Sequence, residues 1–386
     1  YTTTISPTVS MDTPWGTKVD WQYSPDMLNN SQGDGTGLLT ITQPLLNGLG
    51  NNRRALLKAD GQERLNRMTY RDNITSVVNT VVTKYIALEQ AQMTQKIQQN
   101  SLNQAKASFK RAQLQLKAGR SSPSDFRQQK SSFISAELTA STQRDQLRNQ
   151  YETFAETLGL SLQSKITIPG QLSYKNLPMN YPPLKQGIKE MLRNNTTYRR
   201  ALLGMKSSQR DLESKREGLL PSLGLTLQHG FGKNPATKQL SDGSSWNPVD
   251  NNSLGLNFSM PIDNYQTNIE MIKARIAYEQ SKLALQKTKQ DAIFSLEQDY
   301  KMVLHDKQQL ALSKTSVDIQ RQVVKDAELK YRFGQVTAFE LSQVRDSLLN
   351  QEQAYVNAQV SYFKDINNIH LQIGDDLDVW HIKLRY

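Results

Sequence analysis

Few side chains in this chain are of a type or spacing that could do covalent chemistry. Its 386 residues include no cysteine, which removes disulfide frameworks, thiolate zinc sites and thiol nucleophiles together. The four histidines, His229, His305, His370 and His381, never fall three to five residues apart, the spacing that lets two imidazoles share a metal ion. Serine, histidine and aspartate are all present, but nothing in the sequence groups them into a nucleophile and its base. Gly48-Leu49-Gly50 ahead of a helical stretch has the outline of a phosphate-binding turn. A third glycine is missing, and no acidic partner is evident about 20 residues on, so a flexible bend is the better reading. The sequence therefore assigns no catalytic, cofactor-binding or metal-binding residue, and no enzyme activity is expected.

Charge points no further toward a reaction. Lys and Arg number 47 against 36 Asp and Glu, a net charge of +11 that invites a nucleic-acid partner. The cations are spread along helical stretches such as KASFKRAQLQLKAGR, without aromatic clusters, as on solvated helix faces. No nucleic-acid partner is expected. No run of 18 apolar residues exists, which excludes a transmembrane helix. The opening YTTTISPTVS has neither the charged start nor the apolar run of a signal peptide. A cytosolic protein and a mature exported one both fit.

The elements that must position the remaining residues come in two copies. Ala112–Phe133 and Ala327–Leu348 match at an offset of 215, which sets Gly119 on Gly334, Tyr85 on Tyr300, Leu88 on Val303, Phe109 on Val324 and Gly159 on Gly374. Upstream, Leu39–Leu45 matches Leu256–Ile262 at offset 217, with Pro44 on Pro261. Apolar positions and punctuation stay in step over about 75 residues, so the chain reads as two copies of one unit of roughly 200 residues. The second copy has a helical lead-in, Pro183–Leu219, with no counterpart in the first. A further helix is expected to precede Tyr1 in the complete protein.

Each copy opens on two short alternating runs. Val19, Trp21 and Tyr23 alternate with Lys18, Asp20 and Gln22; Leu39 and Ile41 with Thr40 and Thr42. Leu223, Leu225 and Leu227 alternate in the same way, as do Leu254, Leu256, Phe258 and Met260. Period two means strand. Two long stretches almost free of breakers follow, Asn51–Lys117 and Tyr265–Lys330, each predicting a helix on the order of 100 Å. Leu296, Val303, Leu310, Val317, Val324 and Tyr331 recur every seventh residue, matched by Val81, Leu88, Leu102, Phe109 and Leu116, with Gln95 interrupting. Strict sevens predict coiled-coil seams. Breaks at Gly119–Ser124 and Gly334–Ala338 return each chain as a second helix, Asp125–Leu158 and Phe339–Ile373. Four strands per chain are too few for a membrane barrel, which needs about eight, and an open apolar sheet would aggregate. Copies of the chain must supply the rest. A soluble coiled-coil scaffold is the competing reading; it explains the sevens and leaves the four alternating runs unexplained.

Tyr331-Arg332-Phe333-Gly334-Gln335, with Leu341 and Asp346 behind it, resembles the TolC-type outer-membrane efflux and type I secretion ducts. So do the strand–Pro261 approach to a long helix and Leu220-Pro221-Ser222-Leu223 at the start of the third strand. The resemblance covers nearly the whole chain. It implies a helix-dominated membrane protein, a homotrimer whose 12-stranded β-barrel continues into an antiparallel helical tunnel through the periplasm of a Gram-negative bacterium. Residues 1–159 would be the first repeat, with strands at about 13–24 and 37–46 and helices at about 51–117 and 125–158. Residues 188–374 would be the second, with a lead-in helix to 219, strands at about 221–231 and 252–262 and helices at about 265–330 and 339–373. Residues 160–187 and 375–386 would form an equatorial belt, where Ile166 with Ile168, and Val379, Trp380 and Ile382, would add short strands. Partners implied are a periplasmic adaptor, an inner-membrane ABC or proton-driven transporter, and outer-membrane lipid; no cofactor is implied.

The same resemblance assigns roles to residues. The helical turns become the periplasmic tip, where Ala118, Gly119, Arg120, Phe333, Gly334 and Gln335 would meet the adaptor. On the returning helix Glu340 and Gln343 fall where the family sets acidic rings, three copies of Glu340 making one cation-attracting constriction. Gln343 in place of a second carboxylate implies weaker selectivity. Asp125 and Tyr331 match the acceptor and donor of a closed-state latch, whose arginine position here holds Val336. Without the family, Gly119 and Gly334 read equally as helix ends, and Glu340 and Asp125 as first-turn helix charge.

Overall fold

The computed structural model describes residues 6–25, 35–47, 49–119, 121–161, 164, 166, 180–232, 251–260 and 265–385. Chain order is β1 (Thr8–Asp12), β2 (Lys18–Pro25), β3 (Gly35–Pro44), α1 (Asn51–Lys117) and α2 (Pro123–Thr157). Then come α3 (Leu184–Asn194), α4 (Thr196–Glu217), β4 (Ser222–Gly232), β5 (Asn251–Ser259), α5 (Tyr265–Arg332), α6 (Ala338–Ile373) and the single turn α7 (Asp376–Val379). Helix dominates, with one antiparallel sheet. Two units are distinguishable: residues up to Met68 with Thr197–Thr288, and Thr69–Thr196 with Lys289–Tyr386.

The first unit holds the sheet, an antiparallel meander in the order β1-β2-β3-β4-β5. Its register sorts the side chains by face. Val9 lies beside Trp21, Trp21 beside Leu39, Val19 beside Ile41, Ile41 beside Leu227, Leu227 beside Leu254, and Leu225 beside Leu256. Ser10, Asp20, Thr40, Gln228 and Ser253 form the opposite row. One face is thus largely apolar across all five strands, interrupted by Gln43 and by the His229–Asn252 pair, and the other largely polar. Four strands were expected; β1 is an addition, turned back onto β2 by a bend in which Gly16 takes φ 82°. The helix ends of this unit are tied by Arg54–Glu217 at 2.6 Å and by Arg210, whose guanidinium donates to the Leu57 carbonyl at 2.8 Å.

The second unit is built on the sevens. Leu296, Val303, Val317 and Val324 of α5 are buried, as is Leu88 of α1. Burying a leucine or valine side chain in full stabilises the fold by roughly 1.5–3 kcal/mol, so these positions set how the helices pair. One core joins α3, α5 and α6 through Met191, Leu296, Tyr300, Val303, Ile366, Ile369 and Ile373. A second joins α1 to α6 through Val82, Ile86, Val360 and Phe363, with Trp380 of the tail against it. Helix α6 therefore serves both hairpins. In the α1–α2 hairpin, Phe109 stacks on Phe133 at 5.4 Å and meets Phe126 at 5.6 Å.

Two details differ from expectation. The lead-in is two helices, parted at Asn195, whose backbone is extended and whose amide side chain donates to the Gln372 carbonyl at 2.9 Å. The tail is helical at Asp376–Val379 rather than a strand, because Asp375 and Gly374 close α6 and start a new turn. Ile168, expected in a belt strand, lies outside the described residues, and Ile166 is in no strand.

Candidate functional site

The helical turns at the far end of each hairpin are closed by the same device. Gly119 takes φ 67° and Gly334 φ 73°, left-handed values that cost an L-residue about 1–2 kcal/mol. The Gly334 amide donates to the Tyr331 carbonyl at 3.1 Å and the Gln335 amide to that of Lys330 at 2.9 Å, the double bond that finishes a helix at a glycine. The Ala118 and Gly119 amides donate to Leu114 and Leu116. A β-carbon on either glycine would meet nothing within 4 Å, so only the backbone conformation demands glycine. Phe333 projects with 77% of its surface exposed and Phe339 with 55%. Both rings are thus left in solvent next to the turn. Arg120 lies outside the described residues.

Glu340 has a structural task. Its Oε2 accepts from the Thr337 amide at 2.7 Å while the Thr337 hydroxyl accepts from the Glu340 amide at 3.2 Å, a complete capping box opening α6. Gln343 is exposed one turn further on. Asp125 is exposed in the first turn of α2, where its amide donates to the Ser122 hydroxyl at 3.0 Å. Among the described residues no hydrogen bond joins Asp125 to Tyr331. Tyr331 instead lines a cavity of about 360 Å³ together with Ser101 and Ser108 of α1, Gln129 and Ser132 of α2 and Arg345 of α6.

Arg345 is what sequence reasoning missed. Its guanidinium donates to the Ser108 hydroxyl on α1 at 2.9 Å and to Glu328 on α5 at 2.6 Å, with only 14% of its side chain exposed. It thereby ties the two hairpins near their tips. Its Nε is buried with no partner. Further along the same seam Gln353 donates to Thr94 at 3.1 Å, Gln90 to Asn357 at 3.0 Å and Asn367 to Asn79 at 2.8 Å. The α1–α6 seam is thus apolar around Val82 and Phe363, polar toward the tip at Gln90–Asn357, Thr94–Gln353 and Ser108–Arg345, and polar again on the other side at Asn79–Asn367. Neutral hydrogen bonds of this kind contribute only about 0.5–1.5 kcal/mol each, and water replaces them readily.

A second feature lies on α5 and α6. The Asp365 carboxyl is pushed up to about 6, first by burial and then by the neighbouring Asp306 and Asp299 carboxylates. Asp299 is itself raised by burial. Nothing in the sequence signals this cluster, since Asp365 sits 66 positions from Asp299.

An antiparallel sheet with a largely apolar face and two long helical hairpins are the elements of a channel-forming outer-membrane protein. The match to the outer membrane efflux protein family spans residues 8–160 and 187–374, and the chain belongs to that family. It is a family of transport ducts, not of enzymes, and its members reside in the outer membrane with a large helical periplasmic part. No curated protein matches the sequence. Among solved structures the chain is similar to the outer membrane protein VceC of Vibrio cholerae, at 14% identity over 96% of this chain and 86% of that one, TM-score 0.70. The Campylobacter jejuni CmeC outer membrane channel is similar at 15% identity over 97% and 77%, TM-score 0.67. The open state of the Neisseria gonorrhoeae MtrE channel is similar at 14% over 97% and 81%, TM-score 0.65. At such identities these structures attest the fold.

Proposed function

We propose that three copies of this chain form the exit duct of a tripartite efflux or type I secretion system. Strands β2–β5 of each copy close a twelve-stranded barrel, and the hairpins continue it as a periplasmic tunnel. The single observation that carries this is the largely apolar face that runs across all five strands, with Leu254 70% and Leu256 65% exposed on β5. Such a face is stable only against lipid, and a sheet in lipid survives only when closed on itself. Residues 1–159 and 188–374 act as two repeats of one unit, with residues 160–187 and 375–386 as an equatorial belt around the middle of the tunnel.

Gating follows from the α1–α6 seam. The second hairpin turns away from the first about the apolar contact of Val82, Ile86, Val360 and Phe363, breaking the polar rungs and the Arg345 tie. Tyr331 and Asp125 add a latch across the same end when copies meet. Glu340 rings the constriction with its carboxylate while capping α6, and Gln343 stands beside it uncharged. A periplasmic adaptor docks on Ala118, Gly119, Phe333, Gly334 and Gln335, with Arg120 alongside, and an inner-membrane ABC or proton-driven transporter drives the opening. Reconstitution into planar bilayers tests this: small, cation-selective resting currents are expected, and a protein that gives no conductance at any load contradicts a duct.

A further inference from the structure

Strand parity sets β1 apart. Every neighbour in the sheet is antiparallel, so β1, β3 and β5 run the same way. A ring of copies about the barrel axis keeps each strand's direction. Joining β5 of one copy to β1 of the next would therefore make a parallel pair, whereas membrane barrels close antiparallel with an even strand count. Joining β5 to β2 of the next copy is antiparallel. It requires the outer edge of β2, which β1 occupies.

β1 is suited to temporary occupation. It has five residues, all exposed, and pairs with β2 alone. Its apolar residues Val9 and Met11 lie beside Trp21 and Val19, continuing the apolar face as a strand with the Leu254, Leu256, Phe258 pattern would. Its polar row is held by Ser10, hydrogen-bonded to the Asp20 carboxylate, and its start by the Tyr23 amide donating to the Pro7 carbonyl at 3.0 Å. An uncovered β2 edge beside an apolar face would pair indiscriminately.

We propose that β1 is a placeholder strand. It covers the β2 edge in the single chain and is displaced when β5 of a second copy takes that edge, completing the barrel. This rests on the proposed ring of copies and adds which edge is used and what must leave it. The absence of native cysteine allows a direct test in the full chain. Ser10→Cys with Asp20→Cys, cross-strand partners, would staple β1 to β2 by a disulfide; Val19→Cys with Ile41→Cys would staple β2 to β3, a pair that stays together throughout. Assembly is read as SDS-resistant oligomer after insertion into outer-membrane lipid vesicles, oxidised against reduced. The expected result is at least a tenfold loss of oligomer in the oxidised Ser10/Asp20 variant, restored by reductant, with the Val19/Ile41 variant assembling in either state. Equal assembly of the oxidised Ser10/Asp20 variant overturns the placeholder and leaves the ring. If neither variant nor the parent assembles in any state, the ring itself fails and the placeholder with it.

Discussion

At Gly334 two demands meet, and they can be separated by choice of side chain. The left-handed backbone tolerates asparagine far better than a β-branched residue. Gly334→Asn should therefore stay within about 0.5 kcal/mol of the parent in thermal unfolding, and if the proposed adaptor surface lies here it should reduce export, because it adds bulk to that surface. Gly334→Val should lose roughly 1–2 kcal/mol as well. Normal export with Gly334→Asn would place docking elsewhere. Glu340 is separable too, since glutamine serves equally at the third position of a capping box. Glu340→Gln should leave stability unchanged and lower cation selectivity in bilayers; unchanged selectivity would leave Glu340 a helix cap alone. Gly119 and Gly334 were visible in the sequence as punctuation, because glycine is the residue a helix end of this kind requires. The capping role of Glu340 was visible only as a generic first-turn charge, since which acid closes the box depends on where the helix starts.

The helices were legible because strict sevens leave one way to pair, and Leu296, Val303 and Leu88 are buried as that pattern demands. The contact between hairpins was not. Ser108 and Arg345 are 237 residues apart, and an arginine on an exposed helix looks the same whether it is free or holds two elements together. Arg345→Met should raise the resting conductance of reconstituted channels several-fold, and Tyr331→Phe by less. Equal and unchanged currents in both would remove the tie from the gate. β1 escaped notice for a different reason: TVSMD offers two apolar positions beside a Pro-Trp-Gly turn, too short a run to mark a strand. The Asp365 cluster gives the α5–α6 pair a pH dependence. A carboxyl raised from 3.8 to about 6 contributes stability that is full below pH 3.8 and is lost as pH rises through 6. Asp365→Asn should thus stabilise the protein at pH 7.5 by about 1 kcal/mol, solvent screening reducing the full value, and the gain should shrink toward pH 5. Denaturant unfolding at the two pH values measures it; a gain independent of pH would mean the charge is not its source.

Across the whole molecule, one number links the chain to its membrane. A sheet largely apolar on one face and largely polar on the other, with open edges, is what the proposed ring of copies would use as a segment of its wall. The sequence showed the wall through its alternation, while the number of copies that complete it is a property of no single chain. The mass of the detergent-solubilised particle by light scattering, corrected for bound detergent, tests this most directly. Three copies of the 43.8 kDa chain are predicted; a stable particle of one chain would contradict the duct.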